Sequence, residues 1–273
     1  MRLCAFADEA STQITGQISA LKRNGIDLLE IRGVDGDNIS KISEQKAKEV
    51  RKMLDAEGIS VWSMGSPIGK YKMELDIAPH LEAHKRIIEL SYILGASYVR
   101  MFSFFPIAGE DADTTQKRSF ERLAMLCDLT PDDIILCHEN EKHIYGETPE
   151  ACLAIHRAFP RIKAVFDPAN YVQCGVDTLM AWETIRPYVE YLHIKDSLAD
   201  GTVVPAGEGN GHVKEIVASY LAGGGCVMTL EPHLQQFTGL SGLENGGHVK
   251  MQRTYKDNDE SFDAAVSALR GII

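Results

Sequence analysis

The chain has 273 residues, 44% of them hydrophobic and 25% charged, with a formal net charge of −11. That is ordinary globular usage with ample material for a core, and the acidic balance disfavours nucleic acid and anionic membrane surfaces as partners. No apolar run approaches the ~20 residues that span a bilayer, and the opening MRLCAFADEA is too short and too acidic for a signal peptide.

From the N-terminus onward, short apolar runs alternate with longer amphipathic stretches. The runs expected as strands are Leu3–Ala7, Leu28–Arg32, Ser60–Met64, Tyr98–Phe102, Ile134–Glu139, Lys163–Asp167, Tyr188–Ile194 and Val227–Glu231. Between them, Ile14–Asn24 carries Ile14, Ile18 and Leu21 on one helical face. Ser43 opens a helix that Glu57-Gly58 closes, and Leu81–Leu94 ends at Gly95. Further helices are expected over 115–127, 148–158, 176–186, 212–222 and 259–270. Thr148-Pro149 offers an N-cap and a proline at the first helical position. Six cysteines (Cys4, Cys127, Cys137, Cys152, Cys174, Cys226) are scattered without a CxxC pair, and read as free thiols of a reducing, cytoplasmic setting.

Regular βα alternation implies a parallel sheet. Eight units in a chain near the ~250-residue barrel size imply a single (β/α)8 TIM barrel, one domain over 1–273; a doubly wound open sheet is the alternative. The irregular stretch is Pro232–Asp257, a long loop after strand eight with Gly239, Gly242, Gly246 and Gly247 as candidate hinges. A loop of that length is expected to be a mobile cover over the site. Its Lys250, Arg253 and Lys256 are either solvated or near an anionic ligand.

Sites of such barrels lie at the C-terminal strand ends. Strand five ends in Glu139, strand six in Asp167 and strand eight in Glu231, while strand seven presents His193. The period of two along a strand puts these four inside, with Cys137, Val165, Tyr191 and Thr229 beneath them and His138 facing the helices. Three converging carboxylates repel one another unless a cation is present. The oxygen-rich set suits one Mn²⁺ or Mg²⁺ and admits Co²⁺ or Zn²⁺.

The pieces CHEN (137–140), FDPAN (166–170), LHIKD (192–196), GEG (207–209) and LEPH (230–233) resemble, in order and spacing, the xylose-isomerase-like barrels, and within them the sugar phosphate isomerase/epimerase family. The resemblance implies a divalent metal on Glu139, Asp167, His193 and Glu231. It also implies Glu139 and Glu231 as the acid–base pair that moves a proton next to a ketose carbonyl, through an enediolate. The substrate would be a sugar, sugar phosphate or polyol. Many relatives carry a histidine where this chain has Asn170, and GSPIGK (65–70) and RMFSFF (100–105) lack the histidines of the apurinic endonucleases. A DNA-repair role is therefore disfavoured.

Around this centre, Lys195, His233, Arg32 and Arg100 are candidate substrate contacts. Lys195 has Asp196 or Glu208 as alternative partners, and His233, a loop histidine at the rim, reads more often as plain surface than as a substrate contact. Asp8 and Glu9 either reach substrate or start a helix, and Gly207–Gly211 reads as a flexible turn without the Lys-Ser/Thr of a phosphate loop. The in-family alternative activity is a keto-polyol dehydratase. The alternative of another class is a non-catalytic carbohydrate- or metal-binding barrel. Homo-oligomerisation stays open.

Overall fold

The structure is a computed structural model that describes residues 1–238, Leu240 and 250–273. Among these, eight parallel strands close into a barrel: β1 (Arg2–Ala5), β2 (Leu28–Ile31), β3 (Ser60–Gly65), β4 (Tyr98–Met101), β5 (Ile135–Glu139), β6 (Lys163–Phe166), β7 (Val189–Ile194) and β8 (Val227–Leu230). β1 completes the ring on β8, with Arg2 opposite Val227 and Ala5 opposite Leu230. The (β/α)8 barrel expected from the alternation is the fold.

The helices are α1 (Ile14–Arg23), α2 (Glu44–Ala56), α3 (Ala78–Leu94), α4 (Ala112–Asp128), α5 (Pro149–Ala158), α6 (Pro168–Gln173), α7 (Thr178–Ile185), α8 (Val213–Ala222) and α9 (Asn258–Arg270). Their ends follow local chemistry. The Ser43 side chain accepts from Lys46 N, Asp111 from Thr114 N and Thr148 from Ala151 N, each satisfying an otherwise orphaned first-turn donor. Gly95 ends α3 at a φ of 75°, a conformation that costs glycine nothing.

Among the described residues, one short helix and two ribbons that depart from the sequence expectation lie at C-terminal strand ends. α6 begins within FDPAN and runs to Gln173, six residues that are too few to show a periodicity. Two short antiparallel ribbons, Gly33–Val34 with Asp37–Asn38 and Asp196–Ser197 with Val203–Val204, follow β2 and β7.

The barrel interior is stacked in layers. Its floor is apolar: Cys4, Leu28, Cys137, Val165, Tyr191 and Val227 pack together, closed by Trp62 and Tyr98. Two residues further along β2, β4, β5, β6 and β7 the interior turns polar, with Glu30, Arg100, Glu139, Asp167 and His193 buried, and Glu231 is buried four residues beyond Val227. His138 faces the other way, 5.9 Å from the His156 ring of α5. Among the described residues the barrel has two register slips. Leu29 pairs with Val61 but Glu30 with Ser63, and Ala164 pairs with Val189 but Val165 with Tyr191. Such bulges re-aim side chains.

The candidate hinges Gly239, Gly242, Gly246 and Gly247 lie outside the described residues. The far end of that segment is tied down: Val203 N donates to Lys250 O at 2.7 Å and Gln252 N to Val203 O at 3.3 Å. Arg253 pairs with Glu208 at 2.7 Å, and Lys256 is exposed near Asp257. All six cysteines are unpaired. Among the described residues no helix is long and apolar enough to cross a membrane.

Burial pushes the imidazoles of His80, His84 and His156 down to about 4. In the unfolded chain these groups titrate near 6.5, so below that pH the unfolded state takes up protons that the native state refuses. Their contribution to stability is complete above pH 6.5 and is lost as the pH falls toward 4, on the order of 3 kcal/mol for each imidazole. Urea unfolding at stepped pH values should therefore show stability dropping steeply between pH 6.5 and 4. A flat profile over that window would contradict the burial assigned to these side chains.

Candidate metal centre

Four strand ends bring their side chains to one point. Ligand atoms of Glu139, Asp167, His193 and Glu231 lie within 4.8 Å of one another, and all four residues are buried. His193 Nδ1 lies 3.2 Å from Glu139 Oε1 and 3.1 Å from Glu231 Oε2. Its other ring nitrogen, Nε2, faces Glu30 at 3.1 Å. The edge of the Phe6 ring sets against the imidazole, centroids 5.2 Å apart.

Each carboxylate is aimed by the local chain. Asp167 caps α6, its Oδ1 accepting from Asn170 N at 2.9 Å, which leaves Oδ2 for the centre. Asn140, next to Glu139, clamps the Asp167 peptide: its Nδ2 donates to Asp167 O and its Oδ1 accepts from Asp167 N, both at 2.9 Å. Asn170 Nδ2 reaches Glu139 Oε1 at 3.3 Å, and Arg100 Nε lies 3.3 Å from Glu139 Oε2. Glu231 Oε1 accepts from Arg32 at 2.8 Å, which turns Oε2 toward His193.

The second-tier candidates are placed as follows. Lys195 Nζ lies 2.8 Å from Asp167 Oδ2 and 3.8 Å from Glu231 Oε2, so its partners are the centre rather than Asp196 or Glu208. Arg32 is buried, held by both oxygens of Asp8 at 2.9 Å, by Glu9 at 3.3 Å and by Glu231. Asp8 and Glu9 thus serve Arg32. His233 is buried, its N donating to Glu9 Oε2 at 2.7 Å and its Nε2 3.4 Å from Glu231 Oε1. Arg32 and Arg100 both lie over the Phe6 ring, 4.3 and 5.5 Å from its centroid. A cavity opens beside Arg32, lined by Asp8, Asp37, Asn38 and Phe237.

The Gly207–Gly211 stretch is a built turn. Its three glycine N–H groups, of Gly207, Gly209 and Gly211, donate to the Asp196 carboxylate at 2.9 to 3.0 Å. A Cβ on Gly209 or Gly211 would meet Asp196 Oδ1 at 2.3 or 2.7 Å, so only glycine permits the approach.

The electrostatics record the crowding. Burial raises the Asp167 carboxyl to about 6, with Glu139 and Glu231 adding to the rise and Lys195 opposing it. Burial also works against the Glu231 anion, yet Lys195 and His193 hold its carboxyl well below the usual range. Burial disfavours the charged Lys195 and His193, but the surrounding carboxylates hold both well above their ordinary values.

These residues fit a divalent cation. Two buried atoms aimed at one point, His193 Nδ1 and Glu231 Oε2, take part in no well-formed hydrogen bond, and Asp167 Oδ2 beside them is met by the Lys195 ammonium at 2.8 Å. Carboxylate oxygens with one imidazole nitrogen form a hard donor set that suits Mn²⁺ or Mg²⁺ and accommodates Zn²⁺ or Co²⁺. Sequence reasoning gave no role to Glu30 or Asn140 and did not connect Asp8 and Glu9 to Arg32. A glutamate inside the apolar run LLEI was the available signal for the first.

A family model described as the xylose isomerase-like TIM barrel matches residues 18–233. No curated protein matches the chain in sequence. Solved structures do match. A D-allulose 3-epimerase from Methylomonas sp. is 16% identical, with a TM-score of 0.78 over 100% of this chain and 98% of that one. The probable 3-DHS dehydratase AsbF from Bacillus anthracis is 15% identical, with a TM-score of 0.75 over 99% of each chain. The IOLI protein, solved with a zinc atom, is 16% identical, with a TM-score of 0.73 over 100% and 98%. At such identities the likeness is one of fold.

Two substitutions test the centre. His193→Ala and Asp167→Ala should each abolish stoichiometric divalent metal in elemental analysis of the purified protein; undiminished metal in both would refute the assignment. Arg32→Met strands Asp8, Glu9 and Glu231 as buried like charges. It should cost about 3–5 kcal/mol in urea unfolding, the scale for breaking a buried ion pair from one side.

Proposed function

The chain belongs to the xylose isomerase-like TIM barrel family, and on that premise we propose that it is a divalent-metal-dependent isomerase or epimerase acting on a sugar, sugar phosphate or related polyol. The observation that carries this reading is the pair of glutamates, Glu139 and Glu231, whose oxygens flank one imidazole nitrogen at 3.2 and 3.1 Å from separate strands. A cation held by Glu139, Asp167, His193 and Glu231 would supply Lewis acidity, making the C–H next to a substrate carbonyl easier to ionise.

The residues divide the remaining work. One glutamate takes the proton from the carbon next to the carbonyl, and the bonding pair moves toward the carbonyl oxygen to give an enediolate. The other glutamate returns a proton. Delivered to the opposite face of the same carbon, it gives the epimer; delivered to the former carbonyl carbon, with the hydroxyl on the deprotonated carbon passing its proton to the former carbonyl oxygen and becoming the new carbonyl, it gives the isomer. Lys195 places a positive charge beside the developing oxyanion. Arg32 and Arg100 hold the two glutamates in place.

A dehydratase is the second reading. Its first step is the same proton removal, followed by loss of a hydroxyl one carbon away. The observation that favours it is a buried imidazole, His233, whose Nε2 lies 3.4 Å from Glu231 Oε1, beside the proton-abstracting pair.

The test is turnover of a ketose panel with Mn²⁺, with product analysis to separate epimer, isomer and dehydrated product. Glu139→Gln and Glu231→Gln should each lower kcat 10²-fold or more while retaining part of the metal, the usual scale for a positioned acid–base group. Deuterium at the reacting carbon should slow the unaltered enzyme. Near-normal turnover in both variants together with no isotope effect would remove the mechanism and leave the non-catalytic binding barrel in front.

A further inference from the structure

Glu30 stands where an apolar side chain would be expected. It lies two residues above Leu28 of the floor, in the run LLEI, with no exposed surface. Burying an ionised carboxylate there is costly unless its oxygens are engaged. They are. Oε1 accepts from the Tyr191 hydroxyl at 2.8 Å and from the Ser63 hydroxyl at 3.3 Å. Those two hydroxyls are themselves 3.1 Å apart. Oε2 faces His193 Nε2 at 3.1 Å.

The barrel's register serves this arrangement. Its two slips fall at Trp62 and at Glu190, each immediately before Ser63 or Tyr191. Without the first slip Ser63 would exchange faces, and the same holds for Tyr191 at the second, because side chains alternate along a strand. Both irregularities therefore deliver a donor to one buried carboxylate.

We propose that Glu30 is a positioning residue of the metal centre, fixing His193 so that Nε2 carries the proton and Nδ1 presents its lone pair to the site. This rests on reading Glu139, Asp167, His193 and Glu231 as metal ligands. An imidazole has two nitrogens and can turn about its ring axis. A carboxylate that accepts from one nitrogen selects both the tautomer and the orientation and makes the other nitrogen a better donor. Tyr191 and Ser63 keep Glu30 from rotating away.

The experiment uses the full chain and Zn²⁺ alone as the probe. Zinc affinity is measured by chelator competition for the unaltered protein and for Glu30→Gln, Glu30→Leu and Tyr191→Phe. The tautomer of His193 is read from its imidazole ¹⁵N shifts in the zinc-loaded proteins. Glu30→Leu should weaken zinc 10- to 100-fold and abolish the single Nε2–H signature. Glu30→Gln, whose amide oxygen still accepts, should keep the tautomer and lose less affinity. Tyr191→Phe keeps the ring that packs 5.6 Å from the His193 ring and removes only the hydroxyl that donates to Glu30; it should weaken zinc measurably, so it carries the test if Glu30→Leu does not fold. Affinities within twofold of the unaltered protein in every folded variant, with the His193 signature unchanged, would overturn the role of Glu30 alone. Failure of the unaltered protein to bind any zinc would overturn the metal centre and this inference together.

Discussion

The rest of the site depends on the balance of buried charge. Asp8, Glu9, Glu30, Glu139, Asp167 and Glu231 are all buried around the barrel mouth, and the fixed cations buried among them are Arg32, Arg100 and Lys195. Six carboxylates against three cations leave a shortfall of three. A divalent ion held by Glu139, Asp167, His193 and Glu231 would offset most of that shortfall. Converging anions in a poorly hydrated place are tolerated only with such compensation. The same balance explains why the two arginines are bracing groups. A guanidinium has five donors in a fixed fork, and Arg32 spends them on three carboxylates.

The backbone delivers this collection through the simplest property of a strand. From the apolar floor, a step of two residues carries Leu28 to Glu30, Cys137 to Glu139, Val165 to Asp167 and Tyr191 to His193. The lower layer packs and the next one does chemistry. Exits of the strands then lock the aim: the Asn140 clamp on the Asp167 peptide ties β5 to β6, and the glycine turn around Asp196 fixes the chain just beyond Lys195. The first of these joins neighbouring strand ends and the second lies within the connection after β7, so the aim of the centre comes from barrel closure together with one local turn.

That division also explains what could be seen in the sequence. Strand positions, helix caps at Ser43 and Thr148, and the gathering of Glu139, Asp167, His193 and Glu231 all follow from periodicity and capping, which are local. The short α6 and the two ribbons escaped because elements of two to six residues carry no period. The partners of Lys195 escaped for a different reason: Asp196 is adjacent in sequence, but its carboxylate is taken by three glycine N–H groups. Glu30 and His193 are 163 residues apart in sequence. Their contact exists only across the closed barrel and depends on register slips that no pattern of residue types announces.

Isomerisation, epimerisation and dehydration begin with the same loss of a proton, so the ligands alone do not decide among them. The decision lies in what supplies the next proton, and to which atom. Dehydration needs an acid beside the departing hydroxyl. Lys195 is badly suited, since its ammonium is drawn to Asp167 and Glu231 and gives up a proton only against both. His233 is better placed, but its backbone N–H and its ring both lean on Glu9 and Glu231, which draws it toward the carboxylates rather than toward an open face. Glu139 and Glu231, by contrast, approach the same nitrogen from strands separated by β6 and β7, the arrangement that lets a proton leave one face of a substrate and return on another. On the proposed reading, these contacts therefore weigh toward proton transfer between the two glutamates rather than expulsion of hydroxide.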